Sequence, residues 1–230
     1  MSDGPHSLRE SPPEGAGPSA PERPSAPGPG MHDHPRFLKT SVSGLVLAGG
    51  RALRMGGVDK GLQPYLGRPL VDHAIERLAP QVSDVLVSAN RNADEYAKRR
   101  VRVLADASAD FPGPLAGMLA GLRAVRTPWL AVVPCDSPAL PLDLVERLAA
   151  GRGEASAAVV ERADGRLEPV CCLLSTTLAD DLADALARGD RKVEAWLLRH
   201  AARVRFDAPG DDAAFANFNT LAELGARRSA

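Results

Sequence analysis

"VSGLVLAGGRALRMGGVDKG", residues 42–61, is where the fold is decided. Residues 42–48 form a short apolar run of the kind that makes a buried strand. The run empties straight into a loop crowded with glycine and carrying Arg54, Asp59 and Lys60. Glycines let backbone N–H groups approach phosphate oxygens with no Cβ in the way, so a strand ending in such a loop has the form of a phosphate cradle. Neither of the two best-known cradles fits. A P-loop needs G-x-x-x-x-G-K-[ST], whereas Lys60 follows Asp59 and precedes Gly61 with no hydroxyl beside it. The pairs Gly49-Gly50 and Gly56-Gly57 do not give the G-x-G-x-x-G spacing of a dinucleotide fold, which disfavours a nicotinamide-dependent oxidoreductase.

Outward from this loop the chain alternates. "PLVDHAIERLAP" (69–80) sets Leu70, Ala74, Ile75 and Leu78 at helical spacing between two prolines. "SDVLVSAN" (83–90) predicts a strand, "RNADEYAKRR" (91–100) a helix, and "VRVLAD" (101–106) a third strand. "GPLAGMLAGLRAV" (113–125) is a helix with small residues on one side, "WLAVVPCD" (129–136) a fourth strand, and "PLDLVERLAA" (141–150) a proline-opened helix. The second half is less regular. "ASAAVVE", "EPVCCLL" and "ARVRF" predict strands; "TLADDLADALARG", "KVEAWLLRH" and "TLAELGARR" predict helices. Strand alternating with helix predicts an α/β fold: a single Rossmann-like three-layer domain, a mostly parallel sheet with helices on both faces.

Composition narrows the function. With 44% hydrophobic residues and a net charge of -1, the chain can bury one good core and lacks the basic excess of a nucleic-acid binder. Its 3 cysteines, two of them adjacent at Cys171-Cys172, fit neither a disulfide framework nor a zinc site and predict buried, reduced thiols. No apolar run reaches the roughly 20 residues of a membrane span, and the N-terminus has no signal-peptide core, so the expected location is the cytoplasm. Residues 1–30 are rich in proline, glycine, serine and alanine with Leu8 their only leucine, which predicts disorder. The domain reading is therefore a Pro/Gly-rich extension over 1–40 and one domain over 41–230, with Met31 a candidate biological start. His32 and His34 in the head receive no role.

In open parallel sheets, ligands bind outside the carboxyl ends of the strands. Four successive apolar runs end in suitable groups: Gly49-Gly50, Ser88-Ala89-Asn90, Asp106, and Cys135-Asp136. Arg54 as a planar fork and Lys60 as a mobile point charge suit phosphate. Asp136, at a fixed strand exit beside phosphates, suits Mg2+, which takes few protein oxygens and keeps its waters. Asp106 suits ribose hydroxyls, the base, or water around the metal. Each also has a plainer reading: a turn-forming aspartate, a Gly-Gly turn, solvated surface charges. "GPLAGMLAGL" reads equally as helix packing through small residues or, through Gly113-Pro114, as helix amides offered to an anion. What favours chemistry is that all four ends carry such groups.

"LAGG-x-x-x-RMG-x-x-DKG" (47–61) resembles the first loop of the molybdenum cofactor guanylyltransferases, members of the wider nucleotide-diphospho-sugar transferase-like group. Uridylyl- and cytidylyltransferases carry versions of that loop. "SANRN" (88–92), "DFPGPLAGMLAGL" (110–122), "PCDSPALP" (134–141) and "FANFNTLAEL" (215–224) are similar to the guanylyltransferases in order and spacing, so the likeness spans residues 43–224. It implies GMP transfer from GTP to Mo-molybdopterin, with release of pyrophosphate. It also implies that Leu47, Ala48, Gly49 and Gly50 line the GTP site, that Lys60 contacts its phosphates, and that Asp106 belongs to the nucleotide site. Asp136 would bind magnesium and Arg54 would orient triphosphate or acceptor. Asn90 matches a nucleotide contact, Ser88 stands where some relatives have asparagine, and Asn217 and Asn219 match a motif on the pterin side. Transient contact with a molybdoenzyme or cofactor chaperone is a further implication, with neither nucleic acid nor membrane as partner. A phosphate nucleophile is already ionised, so no general base is required, and His73 and His200 are expected to be structural. The alternatives are a CTP-using or sugar-phosphate nucleotidyltransferase, and a non-catalytic nucleotide-binding cofactor carrier.

Overall fold

The computed structural model describes residues 39–48, 59–105 and 113–216, together with Met1. Backbone contacts divide the chain into Met1–His32 and Asp33–Ala230, and the fold described here belongs to the second unit. Of the sequence expectations, the disordered head, Gly49, Gly50, Arg54, Asp106, Asn217, Asn219 and the helix over 220–228 lie outside the described residues.

The strands are β1 (Val42–Leu47), β2 (Pro64–Tyr65), β3 (Arg68–Pro69), β4 (Val85–Ser88), β5 (Arg102–Leu104), β6 (Trp129–Pro134), β7 (Ala157–Arg162), β8 (Leu167–Ser175) and β9 (Ala201–Phe206). The helices are α1 (Leu70–Leu78), α2 (Ala93–Ala97), α3 (Pro114–Ala124), α4 (Leu144–Gly151), α5 (Ala179–Ala187), α6 (Val193–Leu197) and α7 (Asp211–Ala214). Strands β2 and β3 form a small antiparallel hairpin. The rest make a 7-stranded sheet in the order β5-β4-β1-β6-β8-β7-β9. All its pairings are parallel except those of β8, which runs antiparallel to both β6 and β7. The mostly parallel α/β reading therefore holds, with one reversed strand. The reversal has a local cause: β7 and β8 are joined by a tight turn at Gly165 (φ +82°), too short for the crossover that a parallel partner needs.

The sheet's two faces bury separate cores, because side chains alternate along each strand. Val42 and Val46 of β1 point to the side covered by α1, α2 and α4, in a core with Val71, Leu78, Tyr96, Val133 and Leu148. Leu45, on the same strand, points to the other side, against α3, α5 and α6, with Met118, Leu122, Leu182 and Trp196. That is the three-layer arrangement. The predicted helix over 91–100 is shorter than expected: α2 covers only Ala93–Ala97, bracketed by Asn92 (φ +53°) and Arg100 (φ +57°). Left-handed residues cannot propagate a right-handed helix, so the pair limits it at both ends.

Candidate functional site

The register of the parallel strands lines up their carboxyl ends. Leu47 of β1 stands opposite both Ser88 of β4 and Pro134 of β6, and Ser88 stands opposite Leu104 of β5. The row continues by one residue on each side: Ala48 N donates to Ser88 O (2.9 Å), Ala89 N to Leu104 O (2.9 Å), and Cys135 N to Leu47 O (3.1 Å). Leu47, Ala48, Ser88, Asn90 and Asp136 thus share one edge of the sheet, as the sequence led us to expect. Ser88 is 1% exposed, its hydroxyl packed beneath α3 at Gly117, whereas Asn90 is exposed. A Cβ built on Gly117 would lie 2.6 Å from Ser88 Oγ and 2.8 Å from Leu47 Cδ2, so glycine is what lets the helix approach this edge.

Lys60 reaches the same place from the far end of the loop. It opens a single turn of 3-10 helix, Lys60–Leu62, and its ammonium pairs with the carboxylate of Asp136, 76 residues away. Both side chains are largely covered, 25% and 15% exposed. The Lys60–Asp136 pair puts a cation suited to phosphate and a carboxylate suited to a hard metal side by side at the strand ends. Among the described residues no three His, Cys, Asp or Glu gather into a metal cage. The Asp136 carboxylate is of the kind that suits magnesium, which takes few protein oxygens and shares its shell with phosphates and water.

Three residues of this site carried no assignment from sequence. Asp59 caps the turn that bears Lys60, its Oδ1 accepting from Gly61 N (3.2 Å) and from the Tyr96 hydroxyl (2.6 Å). Its Oδ2 accepts from Asn92 Nδ2 (2.9 Å). An aspartate directly before a short helix is a capping signal that could have been read. Nothing in "NADEYAKRR" marks Tyr96 as more than a core aromatic. Burial, then the hydrogen bond to anionic Asp59, pushes the Tyr96 hydroxyl far above its ordinary range, so it is a permanent donor. The neighbouring Cys135 thiol is likewise raised, by burial first and the Asp136 charge second, and is inert; Cys171 and Cys172 are buried too, as expected. His73 and His200 are structural. His73 Nε2 bonds Tyr65 O (2.9 Å), tying α1 to the β2–β3 hairpin, and His200, just past α6 rather than within it, bonds Asp181 (2.9 Å).

The chain is similar to known proteins over most of its length. The MobA-like NTP transferase domain matches residues 44–204. A molybdenum cofactor guanylyltransferase of Ralstonia nicotianae is 50% identical over 196 residues, covering 80% of this chain and 95% of the relative. One from Burkholderia orbicola is 52% identical over 203 residues, covering 84% and 98%. Among solved structures, molybdopterin-guanine dinucleotide biosynthesis protein A from Archaeoglobus fulgidus superposes with a TM-score of 0.66 at 22% identity, covering 81% of this chain and 97% of that one. A CMP:2-keto-3-deoxy-manno-octonic acid synthetase complexed with CTP superposes at 0.61 and 13% identity, covering 83% and 97%. At such low identities the superpositions establish the fold alone. Half-identical relatives across nearly their whole length establish the rest: this chain belongs to the molybdenum cofactor guanylyltransferase family of nucleotidyltransferases.

Proposed function

We propose that the protein transfers GMP from GTP to the terminal phosphate of Mo-molybdopterin, yielding Mo-molybdopterin guanine dinucleotide and pyrophosphate, as a cytoplasmic step of molybdenum cofactor synthesis. The observation that carries this is the Lys60–Asp136 pair at the aligned carboxyl ends of β1 and β6. In the reaction an acceptor phosphate oxygen bonds the α-phosphorus of GTP as the bond to the β-phosphate oxygen breaks. Two anions must be brought together in line, so binding, alignment and charge neutralisation are the enzyme's work. Lys60 contacts the phosphates as a cation that needs no proton transfer, and Leu47 and Ala48 line the site at the strand exit. Asp136 would hold magnesium, which when bound neutralises charge on the triphosphate. The family likeness further supports Gly49, Gly50, Ser88, Asn90 and Asp106 around the nucleotide, Arg54 between triphosphate and acceptor, and Asn217 and Asn219 toward the pterin. Transient docking to a molybdoenzyme or cofactor chaperone follows from the product, which such a protein consumes.

The test is pyrophosphate release from Mo-molybdopterin with GTP or CTP in the presence of magnesium. Release with GTP is expected; release with CTP alone would make the protein a cytidylyltransferase, and nucleotide binding without release would make it a carrier. Asp136→Ala is expected to lower transfer by about a hundredfold or more while keeping native circular dichroism. Chelation of magnesium should silence the wild type to the same degree. Turnover retained by Asp136→Ala would remove the metal assignment.

A further inference from the structure

A lysine on a single helical turn is poorly aimed by its own backbone. One turn cannot hold itself together, and the lysine stem carries about 2 kcal/mol of rotamer entropy. Asp136 meets the Lys60 ammonium, and the turn that carries Lys60 is fixed by the residue before it. Asp59 closes the turn through Gly61 N, while its carbonyl accepts from Leu62 N (3.3 Å) and Gln63 Nε2 (3.2 Å). Both carboxylate oxygens are then held from outside the turn, by the Tyr96 hydroxyl on one and Asn92 Nδ2 on the other. Tyr96 is fully buried, and Asn92 is in the left-handed conformation that starts α2. Tyr96 is itself fixed: the Arg99 guanidinium lies 5.8 Å from its ring centroid, and Arg99 pairs with Asp72 of α1. Gly61 lets the hydroxyl come this close, since a Cβ there would lie 2.5 Å from it. The two acids beside Lys60 therefore have different tasks: Asp136 faces the ammonium, whereas Asp59 takes donors from α2 and from the residue that caps it.

We infer that Asp59, clamped by Tyr96 and Asn92, is the positioning residue that aims Lys60 at the triphosphate. This rests on the reading above only in that Lys60 grips phosphate. The clamp touches Lys60 through the backbone of its turn, and its effect on nucleotide is expected to pass through that side chain.

Tyr96→Phe keeps the ring and removes the hydroxyl. Losing one hydrogen bond to a carboxylate, it should lower kcat/KM for GTP about tenfold. In a Lys60→Ala background the same change should cost less than about twofold, which is within the scatter of such cycles. Asn92→Gly, which keeps the left-handed backbone at an exposed position, should show the same dependence on Lys60 with a smaller loss. It serves as the second variant if Tyr96→Phe does not fold. Equal losses with and without Lys60, or no loss in either variant, would overturn the inference and leave Tyr96 as packing. The same cycle is read as affinity for inorganic triphosphate, which needs neither guanine nor acceptor. Coupling in that affinity without transfer by the wild type would sink the guanylyl-transfer reading and leave the clamp standing. Transfer with additive losses would do the reverse, and a wild type that neither transfers nor binds triphosphate would remove both.

Discussion

Gly61 has room for a hydrogen and nothing larger. A methyl there would press 2.5 Å from the Tyr96 hydroxyl and 3.4 Å from Cys135 Sγ, and neither neighbour is free to move, the first being bonded to Asp59 and the second buried. Overpacking of this kind costs about 1–3 kcal/mol. Gly61→Ala should therefore unfold at lower denaturant and lose transfer activity together, because the atom it displaces belongs to the clamp on Lys60. An alanine variant matching wild type in both would mean the tyrosine yields easily. The sequence marked Lys60 and Asp136 because charge type and strand-end position are local properties. Asp59 was legible only as a cap, and Tyr96 not at all, since a buried aromatic in a helix has no outward mark of what its hydroxyl meets.

At the scale of elements, α3 carries two sequence readings, and the structure displays one of them. Its small residues read equally as packing or as an anion site at Gly113-Pro114. The packing is now visible: Gly117 and Gly121, one turn apart, both face the sheet, the first against Ser88 and Leu47, the second 2.7 Å from Leu45 Cδ2 and 2.9 Å from Leu130 Cδ2 as measured from a built Cβ. Alanine would gain about 1 kcal/mol of helix propensity at either position, but overpacking costs about 1–3 kcal/mol, and steric loss should win. Gly121→Ala should lower stability by about 1 kcal/mol with KM for GTP unchanged, as it lies away from the site edge. Gly117→Ala should lower stability and raise that KM as well. Urea titration beside steady-state kinetics separates them, and identical kinetics for the two would detach α3 from the nucleotide site.

Across the whole molecule, carboxylates tie late elements onto early ones. Arg147 of α4 forks onto Asp211 with bonds of 3.0 and 2.8 Å and stacks 3.6 Å from the Phe206 ring centroid, which meets Phe215 edge-on. That cluster anchors the chain just before Asn217. The Arg147 hydrogen bonds, helped by Ala208 N, hold the Asp211 carboxyl below its ordinary range. Trp196 Nε1, then His200, does the same for Asp181. A depressed carboxylate contributes stability above its unfolded value, near pH 4, and loses it as pH falls through the folded one. Wild type should therefore melt above Asp211→Asn at neutral pH, with the gap closing below about pH 4. A gap independent of pH would show that Asp211 acts by shape and not by charge.

What the sequence determined by itself was the periodic part of this protein: the strand–helix alternation, the mostly apolar β1, the glycine loop after it and the family likeness of its motifs. These are local, because apolar spacing and strand-end residues are written within a few positions of one another. Only the tertiary structure decided that β8, later in the chain than β7, inserts between β6 and β7 in reverse, and that Asp59 meets Tyr96 across 37 residues as Lys60 meets Asp136 across 76. Such pairings depend on strand order and register, which are set by how whole faces pack and not by any one segment's composition.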